Sequence, residues 1–112
     1  MEIDIHALAA ARSVGAIVID VREPDEYHSG HVPGARPIPL GELATRVGEL
    51  AIRVGERGGE RVHVICASGR RSLLAAKWLI SQGFDAVSVA GGTVAWMGAG
   101  LPVETGPKRQ RA

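Results

Sequence analysis

An α/β fold with a mostly parallel, helix-covered sheet is what this sequence predicts, on three observations. Three short apolar runs, residues 16–21 (AIVIDV), 62–66 (VHVIC) and 86–89 (AVSV), are continuous rather than alternating. That is the pattern of strands buried on both faces, as in a parallel sheet. Stretches with helical spacing lie between them, so strand and helix alternate through short connections. Glycines and prolines, among them Gly58-Gly59 and Gly91-Gly92, punctuate the boundaries. No internal repeat is visible.

The elements follow in order. Asp4 is a suitable N-cap for an Ala/Leu-rich helix from Ile5 to about Arg12, ending before Gly15. The strand over 16–21 carries its polar residue, Asp20, at the C-terminal end. Pro24, His28-Ser29-Gly30-His31 and Val32-Pro33-Gly34-Ala35 are loop chemistry with room for one helical turn. Residues 36–40 suit a short edge strand, because Pro37 and Pro39 exclude a central one. From Glu42 to about Ile52 the pattern is amphipathic, with Leu43, Val47 and Leu50 on one side and Arg46, Glu49 and Arg53 opposite. The strand over 62–66 leads through a tight polar loop into a helix from Arg71 to Gln82, with Leu74 and Trp78 at i,i+4 and Gly83 just past its end. A strand over 86–89, a sharp turn at Gly91-Gly92 and a short helix from Thr93 to about Met97 complete the order. Trp78 and Trp96 suit core packing. Residues 1–105 are expected to form one domain, and 106–112 a polar, basic, disordered tail.

Composition narrows the function. A chain of 112 residues is one domain, and 46% hydrophobic with 22% charged residues is globular composition. Three of the thirteen basic residues (Lys108, Arg109, Arg111) close the chain, so residues 1–107 hold ten against twelve acidic ones, a net −2. With only four aromatics there is neither a basic stripe nor a stacking platform, and nucleic-acid binding is not expected. No targeting segment or long apolar run points to a membrane, and a cytoplasmic location is expected. One cysteine, Cys66, leaves no intramolecular disulfide and no multi-cysteine zinc site, and no metal or cofactor is expected.

In open α/β sheets ligands bind beyond the carboxyl ends of the strands. Asp20 and Arg22, Cys66, and Gly91-Gly92 each follow a strand and converge there. Cys66 is the informative residue. Gly69 permits an unusual backbone angle three residues on, and a helix begins at about Arg71. Such a loop aims successive N–H groups inward as an anion nest, while the helix dipole, Arg70 and Arg71 add positive charge. All of this favours the thiolate, the nucleophilic form.

The run Cys66-Ala67-Ser68-Gly69-Arg70-Arg71 resembles the active-site loop C-x-x-G-x-R of rhodanese-like domains. Asp20-Val21-Arg22-Glu23, Gly30-His31-Val32-Pro33-Gly34-Ala35, and Gly91-Gly92 followed by Trp96 resemble the same family in order and spacing, over about residues 2–103. The resemblance implies a five-stranded parallel sheet flanked by helices on both faces, and a sulfurtransferase. In that reading Cys66 attacks the outer sulfur of a small anionic donor such as thiosulfate, carries a persulfide, and yields it to a thiol or cyanide acceptor. The N–H groups of Ala67, Ser68, Gly69, Arg70 and Arg71 would hold the charged sulfur. Six residues from Cys66 to Arg71 is the sulfurtransferase length; related phosphatases and arsenate reductases have one more. Ser68 also resembles relatives with a C-G-S-G loop that prefer mercaptopyruvate. A persulfide carrier serving a sulfur-accepting protein, without turnover, is the alternative.

Expectations for the neighbouring side chains are specific. Arg71 could bind the donor's anionic end, but a buried Asp20 needs a partner, and an Arg71–Asp20 pair is expected. Arg70 is then the exposed substrate contact. Arg22 is expected to pair with Glu23 or Glu26. Ser68 either donates a hydroxyl to the anion or simply suits the turn. His31 is expected to stabilise its loop rather than act as a base.

Overall fold

The computed structural model describes residues 1–107. From residue 108 on, the tail expected to be disordered lies outside the described residues. The elements are β1 (Glu2–Ile3), α1 (Ile5–Ser13), β2 (Ile17–Asp20), α2 (Pro24–Ser29), β3 (Arg36–Pro37), a 3-10 turn (Leu40–Glu42), α3 (Leu43–Glu56), β4 (Val62–Ile65), α4 (Arg70–Ser81), β5 (Ala86–Val89) and α5 (Gly92–Gly98). The five strands form one sheet in the order β1-β5-β4-β2-β3, with every neighbouring pair parallel.

Every residue of β2, β4 and β5 is buried, which is why these runs do not alternate. The period of two is spent on two different cores. Ile17, Ile19 and Val21 with Val62, Val64 and Cys66 face Leu43 and Leu50 of α3 and Ala75, Ala76 and Leu79 of α4. Val18, Ile65 and Val89 face Ile5 and Leu8 of α1, Tyr27 of α2 and Trp96 of α5. Helices therefore cover both faces, and the Cys66 side chain lies on the α3/α4 side. Asp20 pairs in register with Ile65, so the end of β2 lies beside Cys66 at the carboxyl edge.

Asp4 caps α1 through Oδ1, which accepts from Ala7 N–H at 2.8 Å. Pro37 lies on β3 at the sheet edge, where a missing N–H costs no central ladder bond. Four details depart from the sequence reading. β1 is only two residues, too short to leave a pattern, and is held by Ser88 N–H to Met1 O (2.8 Å) and Ala90 N–H to Ile3 O (2.8 Å). α3 continues to Glu56, one turn beyond the expected Ile52. α4 begins at Arg70, with Gly69 as its N-cap at φ +107°. Its buried side is Ser72, Ala75, Ala76 and Leu79, while Leu74 is left 62% exposed. Small alanines let the helix lie close on the sheet, and that proximity overrides the larger Leu74–Trp78 ridge. Trp96 is fully buried as expected, whereas Trp78 is only partly covered.

Candidate active site

Cys66 follows β4 directly and is 1% exposed. The chain turns there because its carbonyls are claimed from the far side. Thr93 N–H and Oγ1–H donate to Cys66 O at 2.8 and 3.0 Å, and Val94 N–H donates to Ala67 O at 3.0 Å. With its carbonyls held by the first turn of α5, the loop presents N–H groups inward. Gly69 N–H reaches Cys66 Sγ at 3.1 Å and Ser72 N–H reaches it at 3.3 Å. The left-handed Gly69 backbone makes that turn, and a side chain there would press on Gly91 N at 3.4 Å. The N–H groups of Arg70 and Arg71, in the first turn of α4, have no backbone partner among the described residues.

Burial pushes the Cys66 thiol up, but hydrogen bonds from the Ser72 hydroxyl and from the N–H groups of Ser72, Gly69 and Ser68 outweigh it and hold the thiol below its ordinary range. The nest thus reaches Ser72, one residue beyond the run singled out from the sequence. Ala67 is half-buried, whereas Ser68 and Arg70 are exposed at the loop's outer side. Arg70 makes no salt bridge among the described residues.

The expected pairing of the arginines is corrected. Asp20 is fully buried, and its partner is Arg22, not Arg71: Nε donates to Oδ1 at 3.0 Å and Nη2 to Oδ2 at 2.9 Å. Two residues apart, the pair closes locally, and Arg22 N–H also donates to Oδ1 at 3.0 Å. The remaining Nη2 capacity goes to Gly30 O at 2.8 Å, so Arg22 bonds neither Glu23 nor Glu26. Arg71 instead crosses to α2 and binds Glu26 through two parallel bonds of 2.7 and 2.9 Å. The Arg71 guanidinium draws the Glu26 carboxyl down to about 2, and Arg71 is itself raised by the same contact.

His31 is buried, stacked on the Tyr27 ring at 3.6 Å, with Nδ1 2.7 Å from Tyr27 O. Its backbone pairs with Glu104, and none of its hydrogen bonds reaches the loop of residues 66–71. Sequence reasoning missed Ser72 and Ser88. Ser72 Oγ lies 3.3 Å from Sγ and 2.7 Å from Ser88 Oγ, and both serines are fully buried. A lone hydroxyl inside the apolar run of β5 was the available signal. Glu26 left no signal, because its 45-residue separation from Arg71 is set only by the fold.

The chain is similar to known proteins in sequence and in overall structure. A family profile described as "Rhodanese-like domain" matches residues 5–99. A putative sulfur carrier protein of Bacillus subtilis is 42% identical over 82 residues, 72% of this chain but only 41% of that longer relative. A thiosulfate sulfurtransferase of Pseudomonas putida is 36% identical over 101 residues, 89% of this chain and 86% of the relative. The crystal structure of a rhodanese-related protein from Thermoplasma volcanium superposes with a TM-score of 0.81 at 32% identity, covering 92% of this chain and 96% of that one.

Proposed function

The chain belongs to the rhodanese-like domain family, and we propose that it is a sulfurtransferase that takes sulfane sulfur from thiosulfate onto Cys66 and passes it to a thiol or cyanide. Sulfur transfer as such is the common ground of its named relatives. The observation that carries the finer reading is the pair of N–H groups, Gly69 and Ser72, aimed at Sγ beneath an exposed Arg70. The Cys66 thiolate attacks the outer sulfur of thiosulfate, the sulfur–sulfur bond of the donor breaks, and sulfite leaves with the electron pair. The enzyme then holds a persulfide anion, whose charge the N–H groups of Arg70 and Arg71, without a backbone partner among the described residues, would receive. Cyanide or a thiolate attacks the outer sulfur, forms thiocyanate or a new persulfide, and restores the Cys66 thiolate. With no second cysteine in the sequence, no internal thiol discharges the persulfide, so the acceptor comes from outside.

Arg70 supports a dianionic donor because it brings charge without a carboxylate partner among the described residues. The six-residue loop supports sulfur over a tetrahedral phosphate, since a nest must fit its anion. Carriage to a protein acceptor without turnover is the second reading, and the relative named as a putative sulfur carrier protein favours it. A cytoplasmic site of action is part of the proposal; among the described residues no helix is long and apolar enough to cross a membrane.

Mass spectrometry of the intact protein after thiosulfate treatment tests the reading. One added sulfur atom is expected, lost on adding cyanide and absent from Cys66→Ser. Steady release of sulfite with cyanide present marks an enzyme, and an adduct without turnover marks a carrier. No adduct with thiosulfate or any other persulfide donor overturns both, and Cys66-dependent hydrolysis of an aryl phosphate would put a phosphatase in their place.

A further inference from the structure

Ser88 lies at the centre of β5, 22 residues beyond Cys66 and away from the loop, yet its hydroxyl is bonded to the one side chain that, among the described residues, hydrogen-bonds Sγ. We propose that Ser88 is a positioning residue for the Cys66 anion, acting through Ser72. This rests on Cys66 being the nucleophile of the reading above.

Ser88 acts by polarising the Ser72 hydroxyl: Ser72 Oγ is its one hydrogen-bond acceptor among the described residues, and a hydroxyl that accepts a hydrogen bond donates a stronger one to an anion. Cys66 Sγ, Ser72 Oγ and Ser88 Oγ form a chain of three atoms joined by two contacts, 3.3 and 2.7 Å. Ser88 is fully buried, and its hydroxyl has no other hydrogen-bond partner among the described residues. With Cys66 as a thiolate, Ser88 Oγ–H donates to Ser72 Oγ, and Ser72 Oγ–H donates to the sulfur. A persulfide is equivalent, because Sγ then carries no proton either. Ionisation releases the Sγ proton to solvent and turns the Ser72 hydroxyl toward sulfur.

The charged groups around Cys66 do not compete with this device. β2 contributes Asp20 and Arg22, bonded to each other, and α2 contributes Glu26, bonded to Arg71 of α4. Arg70 is exposed at the start of α4. β5 and α5 carry no titratable side chain, and the paired charges of α3, Arg46 and Glu49, are exposed. His63 on β4 faces the opposite way along the strand from Cys66 and is held at Ile17 O, 3.1 Å. A Ser88 substitution therefore leaves every neighbouring charge in place.

The test is the pH dependence of Cys66 alkylation by iodoacetamide in the full chain. Ser88→Ala is expected to move the midpoint up by about 0.2–0.6 pH unit, the cooperative share that one hydroxyl adds to another's hydrogen bond to a charged group. Ser72→Ala should move it at least as far, and the double variant no further than Ser72→Ala alone, since Ser88 has no other route to sulfur. Ser88→Thr, which keeps the hydroxyl, should restore the midpoint. An unchanged midpoint in a Ser88→Ala protein that melts normally overturns the proposal, as does full additivity in the double variant. If the midpoint moves as stated while no sulfur donor loads the native protein, the positioning role stands and the sulfurtransferase reading falls.

Discussion

Two arginines one position apart in role, Arg22 and Arg71, divide the acidic residues between them by distance along the chain. Asp20 sits at the last residue of a fully buried strand, and a partner two residues on satisfies it locally. Arg71 is then free to reach α2, where it holds Glu26 in a two-bond pair that is about one-third exposed. The Glu26 carboxyl lies at about 2 in the folded chain against an ordinary 4.5, so it favours the fold above pH 4.5 and loses that contribution as pH falls toward 2. Glu26→Gln should therefore melt below the native protein at pH 7, by the equivalent of about 0.5–1 kcal/mol for a partly exposed pair. The gap should close progressively between pH 4.5 and about 2, as first the unfolded and then the folded chain takes up a proton on Glu26. A gap that persists unchanged to pH 2 would mean that shape, not charge, holds Arg71. From the sequence both arginines were visible as site residues, but their partners were not. Pairing depends on which side chains share a surface, and the 45 residues between Glu26 and Arg71 carry no local record of it.

At the scale of elements, the loop after β4 is built by α5 as much as by its own residues. Gly92 is at φ +56°, and a Cβ there would stand 2.5 Å from both Cys66 O and Ala67 O, the two carbonyls that α5 must approach to bond. Gly92→Ala is expected to push α5 off the loop, break the Thr93 and Val94 contacts and turn the N–H groups away from Sγ. The alkylation midpoint of Cys66 should rise, and thermal stability should fall by about 2 kcal/mol or more, the combined scale of left-handed strain and lost hydrogen bonds. A variant with native melting and a native midpoint would show that the clamp is not what shapes the loop. The glycine pair could be read from the sequence as a sharp turn at the carboxyl end of the sheet. That it converges with Cys66 on that edge was legible too; the direct contact between the two was not, since it requires β5 to lie beside β4. The strong elements were legible for a plain reason: β2, β4 and β5 are wholly buried, so their composition is dictated by desolvation alone. The two-residue β1 and the orientation of α4 depend on tertiary contacts and left no periodic trace.

Across the whole molecule, the same Asp20–Arg22 pair links parts that the two cores leave separate. The pair stands at the carboxyl end of β2, on a strand flanked by β4 and β3, and Arg22 Nη2 extends to Gly30 O at the end of α2. Ile38 N–H donates to Asp20 O at 3.0 Å and Leu40 N–H to Val21 O at 2.9 Å, so the edge segment depends on the same stretch. Removing Arg22 leaves a buried carboxylate without its cation, a loss of about 3–5 kcal/mol against a total of roughly 5–15 kcal/mol for a domain. Arg22→Ala is expected to melt at least about 10 °C below the native protein. Asp20→Asn combined with Arg22→Met, which removes both charges and keeps the bulk, should recover a large part of that loss. Below its melting temperature the Asp20→Asn/Arg22→Met variant, which leaves no unpaired charge, should keep the native alkylation midpoint of Cys66, because neither side chain bonds an atom of the loop of residues 66–71. Stability and reactivity would then separate cleanly: Arg22 holds the scaffold, while Ser72 and Gly69 hold the sulfur. A native melting temperature in Arg22→Ala, or a shifted midpoint in the double variant, would reverse that assignment and make the Asp20–Arg22 pair part of the sulfur site.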